Sequence, residues 1–183
     1  MSEWDPCLFY KNGKDGSFHY IGVYVDDLVH VYSDEAAYSA VVDKFKADFR
    51  GYTELPLVEI FNAEVAVTPS HVQLTQTRYI EELQKLYCPD EVPKVHTPAL
   101  TDLLEIIKAC AESDKNKLSA EEHAKYRAIV GAVLYLATVC RPDVAVAVGY
   151  LSRVLECPDE ACMAAAMRIL HYLVHTKTGG VPG

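Results

Sequence analysis

The beginning of the chain has the hydrophobic pattern of short β-strands. Residues 7–11 predict one strand, because a short apolar run there is followed by Asn-Gly and Asp-Gly turn pairs. Residues 18–32 are apolar and rich in aromatic side chains, and the only break is the acidic pair Asp26-Asp27. This pattern predicts two strands joined by a tight turn at the two aspartates.

One helix and a second hairpin follow in the pattern. Apolar residues recur at helical spacing over 38–49, after Ser33 as a cap residue and before Gly51 as a stop. Residues 58–67 predict a further strand. A Thr-Pro-Ser-His turn connects it to a returning strand at residues 72–74. The first half therefore combines antiparallel hairpins with helices.

The rest of the chain is predominantly helical. Apolar positions with helical spacing, cap residues and helix-ending prolines predict helices over residues 77–87, 103–110, 120–137, 142–155 and 160–174. Ser119 and Glu122 form a capping-box pattern, and Asp159 is the expected cap of the last helix. Together these patterns predict an α+β protein.

Composition and charge narrow the function classes. The 183 residues include 17 basic and 26 acidic side chains, which gives a net charge of −9. Half of the 183 residues are hydrophobic. This composition is that of a globular chain and argues against a basic nucleic-acid coat. The acidic excess lies in residues 1–140, and residues 141–183 hold four charges of each sign. No apolar run approaches the ~20 residues of a membrane span, and the N-terminus does not have a signal-peptide pattern, so we expect an intracellular protein.

The six cysteines do not predict a metal site. They are scattered without a C-x-x-C pair, and no histidine stands at ligand-like spacing from them. Cys110, Cys140 and Cys162 fall on apolar helical faces. We therefore expect buried free thiols at these three positions.

The acidic turn carries the strongest chemical signal. Two adjacent carboxylates at the tip of an apolar hairpin are costly unless a cation neutralises them, and oxygen ligands select Mg²⁺ or Mn²⁺. A pair of such ions can activate a 3′-hydroxyl and stabilise a leaving pyrophosphate. A solvated acidic turn is the alternative for an isolated Asp-Asp pair. Here the apolar residues on both sides of Asp26 and Asp27 favour a rigid hairpin that presents a catalytic tip.

Residues 24–28 read YVDDL. This motif matches the YVDD box in the reverse transcriptase of copia-type retrotransposons, and the chain resembles that family. Further segments resemble the family in the same order, at residues 5–9 (DPCLF), 60–65 (IFNAEV), 76–80 (QTRYI), 97–98 (TP), 126–136, 141–143 (RPD), 151–153 (LSR) and 168–173 (RILHYL).

This resemblance implies a fold and a domain order. Residues 1–95 would form part of the polymerase palm, with the YVDD hairpin, the primer-grip hairpin and a helix. Residues 96–183 would form a linker and a helical thumb and connection region. The implied activity is RNA-directed DNA polymerase, which uses a primed RNA or DNA template, dNTP and Mg²⁺ or Mn²⁺.

The resemblance also implies roles for individual residues. Asp26 and Asp27 would be the catalytic metal ligands. The residues implied in nucleic-acid binding are Tyr24 and Val25 beside the primer terminus, and Ile60, Phe61 and Asn62 in the primer grip. The remaining helices would be structural, and the remainder of the polyprotein would be the partner, in cytoplasmic virus-like particles or in the nucleus.

Several positions depart from the family pattern. Asn62 replaces a glycine of the primer grip, and asparagine tolerates positive φ better than most residues. Ala63 replaces an isoleucine and removes packing volume, and Cys140 replaces a threonine. We also expect the third catalytic carboxylate and the fingers to be missing from these 183 residues, so that the isolated chain is inactive.

Two alternatives remain at the level of sequence. The chain could be a non-catalytic module, derived from a retroelement, that binds nucleic acid or protein. It could also be a decayed fragment without a role.

Overall fold

The computed structural model describes residues 1–60, 62–112 and 116–178. The chain divides into two compact units, Met1–Leu57 and Val58–Gly183, which are described separately. In the described residues they contain two three-stranded antiparallel sheets and six α-helices, in agreement with the α+β prediction. None of the helices described has the length and apolar character needed to cross a membrane.

The N-terminal unit is a sheet with one helix. Strands β1 (Leu8–Asn12), β2 (Phe18–Tyr24) and β3 (Asp27–Tyr32) pair antiparallel in that order, and helix α1 (Glu35–Asp48) follows. The predicted Ser33 cap is wrong by one residue. The Asp34 carboxylate accepts from the first backbone N–H groups of α1, whereas the Ser33 hydroxyl accepts from the backbone of β2.

Aromatic and histidine side chains hold α1 against one face of this sheet. His19 on β2 is buried, and its Nε2 lies 3.1 Å from Nδ1 of His30 on β3. Tyr32 stacks on Tyr38 of α1 with ring centroids 4.1 Å apart, and Phe45 contacts the His30 ring edge-on. These contacts fix to α1 the end of the β2–β3 hairpin that lies away from its turn.

The C-terminal unit joins a small sheet to a helical bundle. Its elements are β4 (Glu59–Ile60), β5 (Ala63–Val67), β6 (Val72–Thr75), α2 (Thr77–Tyr87), α3 (Leu103–Glu112), α4 (Ala120–Val139), α5 (Ala145–Leu151) and α6 (Glu160–His175). The single strand predicted over 58–67 is wrong, because β4 and β5 are two strands that pair antiparallel, and Asn62 before β5 has φ 55°. The predicted helix over 142–155 is broken into α5 and a short 3-10 helix on each side of it.

The hydrophobic core of this unit lies among its five helices. Apolar side chains from every helix meet there, and Tyr126 of α4 is completely buried. Its hydroxyl donates to the carbonyl oxygen of Leu151 at 2.8 Å, which satisfies the polar atom inside the core. The prediction placed residues 58–95 with the first domain, whereas in the structure α2 packs with the C-terminal helices.

Candidate functional site

The acidic turn is at the tip of the β2–β3 hairpin. Tyr24 and Asp27 pair across the two strands, and Val25 and Asp26 form the two-residue connection. The turn thus lies near the acidic pair, as predicted, with Asp26 in the connection and Asp27 as the first residue of β3. All four side chains are exposed, so the two carboxylates face solvent at the end of a supported hairpin.

Val25 has an unusual backbone conformation. Its φ is 54°, and its side chain is 88% exposed. A positive φ is costly for a β-branched residue, because Cβ crowds the following carbonyl oxygen. Strain of this kind costs about 1–3 kcal/mol and is concentrated at functional sites. The turn therefore holds a strained residue directly before its carboxylates.

The strain at Val25 predicts a stabilising substitution. Val25→Gly should raise the free energy of unfolding of the N-terminal unit by about 1 kcal/mol, since glycine adopts positive φ freely but loses more entropy on folding. The matched control is Val31→Gly, which exchanges an exposed valine within β3 and should destabilise the unit by about 1 kcal/mol. Hydrogen exchange of the β2 and β3 backbone amides measures both, and equal losses of stability in the two variants would contradict strain at Val25.

The electrostatics of the turn favour a cation. No basic side chain of the described residues forms an ion pair with Asp26 or Asp27. Within the same residues, no third histidine, cysteine or acidic side chain comes close enough to complete a metal site with them. The turn offers two hard oxygen donors, which fit Mg²⁺ or Mn²⁺, and these ions commonly keep water or phosphate oxygens as their other ligands.

The residues implied in the primer grip lie in the other unit. Ile60 ends β4, is half-buried and pairs with the fully buried Ala63, whereas Asn62 is exposed. Phe61 lies outside the described residues. The predicted site residues thus form two groups, one in each compact unit.

A residue outside the predicted set anchors this hairpin. The Glu64 carboxylate accepts hydrogen bonds from the Thr75 hydroxyl and from the backbone N–H groups of Thr77 and Arg78, at 2.9–3.1 Å. Glu64 also forms an ion pair with Arg78. Burial alone would raise the pKa of Glu64, but these donors hold it below its ordinary value. Because Gln76 makes no side-chain cap to α2, Glu64 supplies that cap from the neighbouring strand.

The conformation of Asn62 predicts how its substitutions rank. Asn62→Gly should leave the stability of the C-terminal unit within about 0.5 kcal/mol, because glycine accepts the φ of 55°. Asn62→Val should lower it by about 1–2 kcal/mol, because a β-branched residue is strained there. Urea unfolding followed by helical circular dichroism measures this ranking, and a valine variant as stable as the glycine variant would refute it.

Comparison with known proteins finds retrotransposon Pol polyproteins as homologues. The chain is 29% identical over 175 residues to the retrovirus-related Pol polyprotein from transposon TNT 1-94 of Nicotiana tabacum. The matched segment covers 92% of the chain and 13% of that protein. It is 31% identical over 179 residues to the corresponding polyprotein from transposon RE1 of Arabidopsis thaliana, which covers 97% of the chain and 12% of that protein.

A further relative is not described as a polyprotein. The uncharacterized mitochondrial protein AtMg00810 of Arabidopsis thaliana is 24% identical over 162 residues, which is 88% of the chain and 64% of that protein. No family model matches the chain. No solved structure matches it either. The chain is thus homologous to a segment of about one eighth of much larger retrotransposon polyproteins.

Proposed function

We propose that this homologue of a Pol polyprotein segment is part of a reverse transcriptase and carries the metal-binding hairpin of its polymerase site. The observation that carries the proposal is the turn itself. Asp26 and Asp27 project from a hairpin fixed by α1, have no ion-pair partner in the described residues and follow the strained Val25. The YVDD sequence of this turn and the homology to Pol polyproteins point to the same chemistry.

In this proposal Asp26 is the principal ligand of the divalent cations and Asp27 is its neighbour. Bound Mg²⁺ or Mn²⁺ would supply activation of the primer 3′-hydroxyl and charge stabilisation at the phosphates. The turn's part is to hold the two carboxylates in position, since the β2–β3 pairing continues up to Tyr24 and Asp27 on both sides of it. The other ligands would come from phosphate oxygens, water and another segment of the polyprotein.

The remaining site residues would position nucleic acid. Tyr24 and Val25 flank the carboxylates and would contact the primer terminus and the template. Ile60, Phe61 and Asn62 would form the primer grip, with Glu64 fixing that hairpin to α2. Palm and thumb are proposed identities of the two regions, and a primed RNA or DNA template and dNTP are the proposed substrates.

A non-catalytic interaction module is the second candidate, and one observation favours it. Strand alternation places Tyr10, Tyr20 and Val31 on the sheet face opposite to the side chains that contact α1. Tyr10 is 47% exposed and Val31 is 53% exposed, and the rings of Tyr10 and Tyr20 lie 6.1 Å apart. Exposed aromatic side chains on a sheet stack on nucleic-acid bases or pack against a partner protein.

Primer extension separates these two functions. The chain replaces its matching segment in the RE1 polyprotein, and labelled dNTP incorporation on a primed RNA template is measured with Mg²⁺ or Mn²⁺. The polymerase proposal predicts template-dependent incorporation by this chimera. Absence of incorporation by a folded chimera, together with salt-dependent RNA binding by the 183-residue chain alone, would favour the module.

A further inference from the structure

Three potential metal ligands meet inside the C-terminal unit, outside the site described above. They are the thiols of Cys110 and Cys162 and the carboxylate of Asp159, whose ligand atoms all lie within 4.8 Å of one another. Both cysteines are completely buried, and Asp159 is half-buried. It is the only such group of three among the described residues.

Two helix ends build this cluster. Cys110 lies in the last turn of α3, and Asp159 and Cys162 begin α6. Asp159 caps α6, because its Oδ1 accepts from the Cys162 backbone N–H at 2.9 Å. Lys117 forms an isolated β-bridge with Asp159, which ties the segment before α4 to the start of α6. The Asp159 cap and the bridge hold the start of α6 in place, and the packing of α3 brings Cys110 to it although 52 positions separate the two thiols along the chain.

Lys117 completes the charge pattern of the cluster. Its ammonium group donates to the carbonyl oxygens of Cys110 at 2.7 Å and Cys157 at 2.8 Å, and its Nζ lies 3.5 Å from the Cys110 sulfur. With both thiols ionised, the two thiolates and the carboxylate carry three negative charges and Lys117 carries one positive charge. The resulting net charge of minus two matches one divalent cation.

The ligand geometry suits a thiophilic cation. Zn–S bonds of about 2.3 Å and Zn–O bonds of about 2.0–2.2 Å place tetrahedral ligand atoms roughly 3.3–3.8 Å apart. The longest of these separations therefore has to contract by about 1.0–1.5 Å at most. Soft thiolate ligands select Zn²⁺ over Mg²⁺ or Ca²⁺. Three protein ligands leave the fourth tetrahedral position of such a cation to a water molecule.

We propose that Cys110, Cys162 and Asp159 form a binding site for a thiophilic divalent cation of the Zn²⁺ class. The site joins α3 to α6, so metal bound there stabilises the helical unit. Its ligands are distinct from the hard oxygen ligands of the acidic turn, and the two sites are expected to take different metals.

Cobalt titration of the reduced 183-residue chain tests this site. Co²⁺ should bind with one equivalent per chain and give a thiolate-to-cobalt charge-transfer band with the visible absorption of tetrahedral cobalt. Zn²⁺ should displace it, and Mg²⁺ should not. Cys110→Ser and Cys162→Ser should each weaken the Co²⁺ affinity at least tenfold, whereas Cys7→Ser and Cys88→Ser, outside the cluster, should leave it unchanged.

The Asp159→Asn variant separates loss of metal binding from loss of folding. Asparagine caps helices as well as aspartate does, so circular dichroism should be unchanged while the Co²⁺ affinity falls about tenfold. The proposal is overturned if the wild-type chain gives no charge-transfer band. It is also overturned if the band persists at full affinity in folded Asp159→Asn and Cys162→Ser variants, or if Cys7→Ser or Cys88→Ser removes it.

Discussion

Asp26→Asn is expected to lower primer extension by the RE1 chimera about a thousandfold. Asparagine has nearly the same shape as aspartate, so the exposed turn should keep its geometry while it loses one anionic metal ligand. Metal ions contribute several kcal/mol of charge stabilisation to such reactions, and about 4 kcal/mol corresponds to a factor of a thousand in rate. The rate of labelled dNTP incorporation at saturating template measures the effect.

The control for this substitution removes a carboxylate elsewhere in the same unit. Asp43→Asn exchanges an exposed aspartate on α1 and should leave the incorporation rate within about twofold. RNA binding by the Asp26→Asn chimera should be preserved, because phosphate contacts do not depend on this carboxylate. Polymerase activity that survives Asp26→Asn, or falls equally in both variants, would show that the acidic turn is not the catalytic metal site.

Asp143→Ala is expected to destabilise the C-terminal unit by about 3–5 kcal/mol. Arg141 is 3% exposed, and its guanidinium donates to both carboxylate oxygens of Asp143, at 3.0 and 2.7 Å. Thr176 accepts the other hydrogen bonds, through its hydroxyl and its carbonyl oxygen. Removing Asp143 leaves the buried guanidinium without its counter-ion, and this destabilises a protein more than replacing both members of the pair.

Urea unfolding followed by helical circular dichroism tests the Asp143 prediction. Arg153→Ala, which removes an exposed arginine stacked on Tyr150, should cost less than about 1 kcal/mol. The double variant Arg141→Met with Asp143→Ala should recover most of the loss, because no buried charge remains. A single Asp143→Ala variant as stable as Arg153→Ala would refute the role of this pair.

The same ion pair should make stability depend on pH. Burial alone would raise the pKa of Asp143, but the hydrogen bonds from Arg141 hold it below its ordinary value of 3.8. The carboxylate therefore contributes full stability above pH 3.8, and the contribution is lost as the pH falls through the lowered folded value. Lowering the pH should thus reduce the difference in the free energy of unfolding between the wild-type chain and the Asp143→Ala variant.

Local sequence signals predicted most of the elements. Helix α2 has the predicted bounds Thr77–Tyr87. The capping box at Ser119 is present, because it depends on contacts within one turn of helix. The predicted strand over 58–67 is wrong at residue 62, where a positive φ interrupts it and periodicity gives no signal. The predicted helix over 142–155 is wrong at both ends, where 3-10 turns replace the α-helical geometry.

The site was less predictable where it depends on tertiary contacts. The acidic turn was located correctly, because a hairpin tip is a local feature. The cap that Glu64 supplies to α2 comes from another element, so no spacing rule could indicate it. Cys110 and Cys162 were expected to be buried thiols, and this is confirmed, but their meeting with Asp159 depends on the packing of α3 against α6. Cys140 is half-buried rather than fully buried.

The location of bound metal tests the central proposal most directly. Crystals of the RE1 chimera with primed template, incoming dNTP and Mn²⁺ would show each ion through its anomalous scattering. We expect a peak within coordination distance of the Asp26 carboxylate that disappears in the Asp26→Asn chimera. A well-ordered primer terminus with manganese bound elsewhere, and none at Asp26 or Asp27, would contradict the assignment of this turn as the polymerase metal site.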